Sequence, residues 1–220
     1  MNICELFELR HSIAGEWLSG FEWPWQALEE LRAKILELGS GLDSGYDCRS
    51  PGVWIHSTAR IADRVSITGP CILGPETELR PGAFLRGGVL AGRGCVIGNA
   101  SEVKNAILFD RVQLPHFNYV GDTIVGYRAH LGCGAVISNL RSDRQTVTVH
   151  TPSGPVHTLL RKFGALVGDE SEVGCNAVLN PGTVLGRGAM VYPASCVRGW
   201  VPENSIWKND GTVIQRRKAE

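Results

Sequence analysis

The chain has 220 residues, 43% hydrophobic and 20% charged, and its 22 basic and 22 acidic side chains cancel. This composition fits a soluble folded protein and gives no sign of a nucleic-acid or anionic-membrane partner. No stretch approaches the roughly 18 uninterrupted apolar residues of a membrane span, and the acid-bearing N-terminus has no apolar signal core.

Residues 1–50 read as a helical segment followed by a linker. "CELFELRHSIAGEWL" has helical character. In "WPWQALEELRAKILELG" Pro24 opens a helix, Ala27, Leu28, Leu31, Ile35 and Leu38 form an apolar stripe, and Gly39 ends it. "GSGLDSGYDCRSPG" is a linker by composition. Beyond the linker the chain is repetitive, and the helices are expected to cover one end of the repeat, because terminal coils need a cap.

From Ile55 the chain repeats every six residues. Ile61, Ile67, Leu73, Leu79, Leu85, Ala91, Ile97 and Val103 are all apolar. One residue is then dropped, and the series continues at Leu108, Leu114 and Val120. A second drop leads to Val125, Leu131 and Ile137, and after an interruption the sixes run from Val167 to Val197. A period of six suits neither an amphipathic helix nor a simple alternating strand. It suits short strands separated by turns, the apolar residue pointing inward. A small residue two places earlier lets neighbouring coils approach. The glycines that come after the apolar residue, such as Gly74, Gly92 and Gly98, are expected to permit a positive φ at the turn.

The expected fold is therefore an all-β solenoid. Its 21 apolar positions, three to a coil, make a triangular prism of about seven coils over residues 51–200. Residues 138–166 are an insertion, in which "QTVTVHTPSGPVHTLL" reads as a protruding β-hairpin around "PSG". Residues 201–220 form a C-terminal tail with a solvated basic cluster, "QRRKAE". Seven cysteines with no CxxC fit a reducing cytoplasm better than a disulfide framework. Cys71 and Cys95 occupy the small position and read as buried packing residues.

Of the 21 small positions, 20 are Ala, Ser, Thr, Val or Cys; the exception is Asn118, in "LPHFNYVGD". Both dropped residues flank this stretch, and a local break in a consistent pattern is where function is expected. Arg80, Glu102, Lys104, His116 and Tyr119 lie on successive coils. His130 comes 14 residues after His116, so the set is expected to share a groove. Arg80 and Lys104 offer cations to a phosphate, and His116 can take a proton near neutral pH. A turn histidine with no chemical task is the alternative at this point.

The segments "LRPGAFL", "GNASEVKNA", "PHFNYVGD" and "HLGCGAVISN", in that order, resemble the C-terminal acetyltransferase half of the bacterial bifunctional N-acetylglucosamine-1-phosphate uridyltransferase, over about residues 73–197. The resemblance implies a left-handed parallel β-helix that works as a homotrimer with active sites between subunits. It also implies acetyl transfer from acetyl-CoA to an amino sugar phosphate. By position His116 matches the general base, Arg80, Lys104 and Tyr119 match residues that hold the sugar phosphate, and Glu102 matches a carboxylate near the amino group. Asn139, Cys133 and Cys175 fall at the acetyl-CoA site. His130 stands where the family has an asparagine that touches the sugar, Pro115 replaces a glycine, and Leu140 replaces a tyrosine. No "GxGTRM"-like nucleotide loop occurs, so no uridyltransferase domain is expected.

The expectation is thus an acetyl-CoA-dependent N-acyltransferase acting on an amino-sugar phosphate or nucleotide sugar in the cytoplasm. A non-catalytic or regulatory sugar-nucleotide binder on the same prism is the competing reading. A third, a metal enzyme resembling γ-class carbonic anhydrases, needs an HxxxxH pair that the six histidines do not contain, so no metal site is expected.

Overall fold

Strands of two to four residues cannot satisfy their own backbone groups, so each coil must bond to the next. Arg60 N–H donates to Thr77 O, Glu78 N–H to Cys95 O, Val96 N–H to Val112 O and Gln113 N–H to Ala129 O, all at 2.8–2.9 Å. Repetition of this step produces a parallel β-solenoid with three walls, seen in a computed structural model that describes residues 2–216. Residues 217–220 of the basic cluster lie outside the described residues.

Wall one runs from Val53–His56 through Cys71–Leu73 and Val89–Ala91 to Trp200–Val201. Wall two runs from Arg60–Ile61 through Glu78–Leu79, Val96–Asn99 and Gln113–His116 to Ser205–Trp207. Wall three runs from Ser66–Thr68 through Phe84–Arg86 and residues 102–103 and 119–120 to Cys196–Val197. The inward residues make one continuous core, less fully buried only at its ends, at Ile61 and Ile67 of the first coil and Trp207 of the last among the described residues. Burial of a Leu, Ile or Val side chain stabilises by about 1.5–3 kcal/mol.

Wall two has eight parallel strands, so the coil count exceeds the expected seven. Ile206 and Trp207 still pair with Met190 and Val191, and Trp207 packs on the core. The segment read as a tail therefore continues the prism. Val213–Gln215 then pairs antiparallel on that edge, while Tyr46–Ser50, read as linker, pairs antiparallel at the other end of the solenoid. Antiparallel strands thus cover both terminal edges.

The helices do not cap an end. Three short elements, α1 (Ile3–Leu6), α2 (Gly15–Leu18) and α3 (Ala27–Ser40), lie along wall one. Ile72, Leu90, Ile107, Ile124, Leu166 and Val184 point outward from that wall and are at most 1% exposed beneath Phe7, Leu18, Trp25, Leu28 and Leu31. The hairpin, Thr148–Thr151 with Gly154–His157, also lies against the body, because Val147 and Val149 are fully buried in the same cluster. Among the described residues no helix is long and apolar enough to cross a membrane.

The glycines after the inward residues serve close approach rather than positive φ. The left-handed residues come two places later, at Glu76 (φ 60), Gly94 (φ 64) and Ala100 (φ 50). A Cβ on Gly74 would sit 2.6 Å from the Gly92 backbone of the next coil, and one on Gly98 would collide with the Pro115 carbonyl. Gly98→Ala is therefore expected to cost about 3 kcal/mol or more. Gly94→Ala, where a Cβ meets only Arg111 Cγ at 3.6 Å, should cost only the left-handed penalty of about 1–2 kcal/mol. Urea denaturation of the two variants tests the order.

Candidate functional site

His116 ends a strand of wall two at the corner with wall three. Phe117 comes next in the left-handed region (φ 52) and the chain turns. Successive coils stack on this corner. Phe117 N–H donates to Asn99 O at 2.9 Å, Gly134 N–H to His116 O at 3.0 Å, and Asn176 N–H to Cys133 O at 2.9 Å. Asn99, His116, Cys133 and Cys175 thus form one ridge. His116, Cys133 and Cys175 are exposed. Among the described residues the exposed His116 imidazole makes no hydrogen bond.

Asn118 supports the ridge from inside. It is 2% exposed, and its Nδ2 donates to Gly132 O at 2.8 Å and Ala135 O at 3.2 Å. Its Oδ1 accepts from His116 N–H at 3.2 Å and from Ser101 Oγ at 3.4 Å. The exception to the small-residue pattern is a buried amide with its bonding capacity used, and it holds the turn that presents His116.

On wall three, Glu102 lies opposite Tyr119. Arg86 Nη1 donates to Glu102 Oε1 at 2.6 Å. Burial above all, then the Asp122 and Glu102 carboxylates, holds the Tyr119 phenol above its ordinary range, so Tyr119 is a neutral hydroxyl near pH 7. Asn139 Nδ2 donates to Tyr119 Oη at 3.2 Å and also reaches Asp122 Oδ2. Asp122 is buried and takes Lys104 Nζ at 3.3 Å and Asn105 Nδ2 at 3.0 Å. Asn105 and Asp122 both have positive φ, 45° and 50°, at the two shortened corners. The dropped residues therefore tighten the corner between walls three and one, and bring these polar groups together.

Two expected members lie on the His116 side of the corner, on wall two, and not with Glu102 and Tyr119 on wall three. Arg80 is on wall two, bonded to Glu78 at 2.8 Å and two coils from His116, about 10 Å at the strand spacing. His130, also on wall two, pairs through Nδ1 with Glu172 Oε2 at 2.8 Å. Residues of one coil divide among three outward faces, so spacing along the chain does not say which wall a side chain joins. Arg86, Asn105 and Asp122 were not singled out as site residues; the two five-residue steps beside Asn105 and Asp122 were the signal. Among the described residues no three His, Cys, Asp or Glu side chains form a metal-holding group.

Comparison with known proteins bears on the same coils. The model of the GMPPB C-terminal domain matches residues 67–153. The chain is 30% identical to the bifunctional protein GlmU of Methanococcus maripaludis over 73% of its own length and 44% of that protein. It is 32% identical to a bifunctional sugar-1-phosphate nucleotidylyltransferase/acetyltransferase of Sulfurisphaera tokodaii, over 71% and 43%. The chain therefore spans less than half the length of these relatives. Among solved structures, PerB of Caulobacter crescentus, in complex with CoA and GDP-perosamine, is 17% identical over 74% of this chain and 56% of that one, with a TM-score of 0.36.

Two outcomes are expected from the site's architecture. Asn118→Asp turns a carboxylate oxygen toward the Gly132 and Ala135 carbonyls and should cost about 3 kcal/mol or more, read as a lowered urea midpoint. Burial pushes the Cys71 and Cys95 thiols up to about 12, so both stay protonated at pH 8. Iodoacetamide followed by mass spectrometry should label Cys133, Cys175 and Cys196 and leave Cys71 and Cys95 unmodified in the native protein.

Proposed function

We propose that this chain, a hexapeptide prism that resembles the C-terminal acetyltransferase domain of the GlmU proteins, is an acetyl-CoA-dependent N-acyltransferase for an amino-sugar phosphate or nucleotide sugar. One observation carries the reading. His116 stands exposed on a ridge whose next two coils carry Cys133 and Cys175, the positions expected to line the acyl donor, beside a wall bearing Glu102, Tyr119 and Lys104.

The order of these groups sets the chemistry. An amino sugar is an ammonium near pH 7 and must lose a proton before its nitrogen attacks a thioester. That first proton goes to solvent, and as the neutral amine forms the C–N bond the His116 imidazole takes a second proton from the nitrogen. The tetrahedral intermediate then collapses with cleavage of the C–S bond, and the imidazolium returns the proton to the departing thiolate. A donor lying along the Cys133–Cys175 side of the ridge would bring its thioester to His116. Glu102 and the Tyr119 hydroxyl orient the acceptor, and Lys104 faces its phosphate. Asn139, bonded to Tyr119 and Asp122, ties the acetyl end of the donor to this wall.

Among the described residues His116 lines none of the best-formed cavities. Left-handed winding and a homotrimer, both implied by the resemblance, would bring a neighbouring subunit against the ridge. Arg80 and His130, on the other wall of the corner, would then serve the site on their own side of the interface. The activity belongs in the cytoplasm, where acetyl-CoA is available.

A second reading is sugar-nucleotide binding without catalysis, and in both readings the cations are already paired, Arg80 with Glu78, Arg86 with Glu102 and Lys104 with Asp122. A phosphate must compete with each of these carboxylates. Acetyl transfer from acetyl-CoA to a panel of amino sugar phosphates and nucleotide amino sugars separates the two. The expected result is turnover that falls about 100-fold or more in His116→Ala with an unchanged melting temperature. Full activity in that variant would remove His116 as the base. Calorimetric binding of a sugar phosphate with no affinity for acetyl-CoA would favour the second reading.

A further inference from the structure

Residues 138–166 leave the corner between walls three and one, and they build something there. Residues 140–143, His150 of the hairpin, Asn180–Gly182 and Arg198–Gly199 enclose a cavity of about 350 Å³. It is contiguous with the candidate site: Ser138 lines it, and the next residue, Asn139, donates to Tyr119 Oη at 3.2 Å. Its charge comes from Arg141, Arg198 and Asp143. Arg141 binds Asp143 through both Nε and Nη2, at 2.9 and 2.5 Å. The Arg141 guanidinium holds the Asp143 carboxyl down at about 2. Arg198 has no carboxylate partner among the described residues. Two arginines less one aspartate leave one net positive charge. Leu140, 41% exposed, adds an apolar surface.

The geometry points to a subsite here for the nucleoside diphosphate portion of a nucleotide sugar, whose amino sugar reaches along wall three toward His116. The size of the cavity is at the lower end for small-molecule sites and exceeds the needs of a lone phosphate. Its arginines suit phosphate oxygens, and Leu140 suits the face of a base. The three residues from Tyr119 to the corner span about 10 Å, so a diphosphate bridge would be needed to fill both places. A sugar monophosphate held beside His116 would leave the cavity vacant. Only the identity of the sugar end rests on the acyltransferase reading.

The test is calorimetric titration of the full chain, without acetyl-CoA, with UDP, GDP, CDP, ADP and inorganic phosphate. At least one nucleoside diphosphate should bind. Inorganic phosphate should bind about 100-fold more weakly, and Arg198→Ala should raise the nucleotide Kd about tenfold. Arg141→Ala should act in the same direction; if loss of its Asp143 contact lowers the melting temperature, the Arg198 variant decides. The inference is overturned if no nucleoside diphosphate binds, if inorganic phosphate binds as tightly, or if Arg198→Ala leaves the Kd unchanged. Acetyl transfer to a sugar monophosphate without nucleotide binding would remove the subsite and keep the enzyme. Nucleotide binding without any acetyl transfer would do the reverse.

Discussion

Everything in this molecule is subject to one spacing, the roughly 4.8 Å between hydrogen-bonded coils. At that distance each residue meets its equivalents one coil above and below, so a side chain that suits one coil must suit the stack. Gly74, Gly92 and Gly98 lack a Cβ because the next coil's backbone occupies the place where it would be. Asn118 is admitted among small residues because its four hydrogen bonds all go to groups of its own or adjacent coils. The same spacing aligns His116, Cys133 and Cys175 on one ridge, so the site is laid out by the repeat that makes the core.

Burial then decides which surfaces remain for chemistry. Wall one carries an outward apolar residue in most coils, from Ile72 to Val184, and the N-terminal helices and the hairpin cover it. Walls two and three are left, and the corner between them is the ridge of His116. The exposed histidine is therefore open to approach over either wall. The helices therefore do more than protect apolar surface: they leave one of the three corners flanked by two open walls.

The polar groups around the ridge are arranged by the shortened corners. Removal of one residue from each of two adjacent coils puts Asn105 and Asp122 in left-handed conformations and brings Lys104, Asn105 and Asn139 within reach of the buried Asp122 carboxylate, with Asn139 also bonded to Tyr119. A buried carboxylate with several donors is costly to disrupt, which holds Lys104 and Asn139 in place, and Asn139 in turn bonds Tyr119. Arg86 and Glu102, by contrast, pair on the open wall, where screening leaves the pair weak and available for exchange with a ligand.

The period of six, the inward positions, the buried Cys71 and Cys95 and the break in the small-residue pattern at Asn118 were all legible in the sequence, because they depend on spacing along the chain and on side-chain size. The covering of wall one was also written there, as the apolar middle residues of "CIL", "VLA", "AIL", "TIV", "ALV" and "TVL", but its meaning depends on which outward face each coil position takes. The purpose of the glycines, the continuation of the prism past residue 200, the separation of Arg80 and His130 from Tyr119, and the cavity at residues 140–143 belonged to the tertiary structure alone. Each is a relation between residues on different coils or faces. Linear spacing gives the layer of a residue, and only the folded corner gives the direction in which its side chain points.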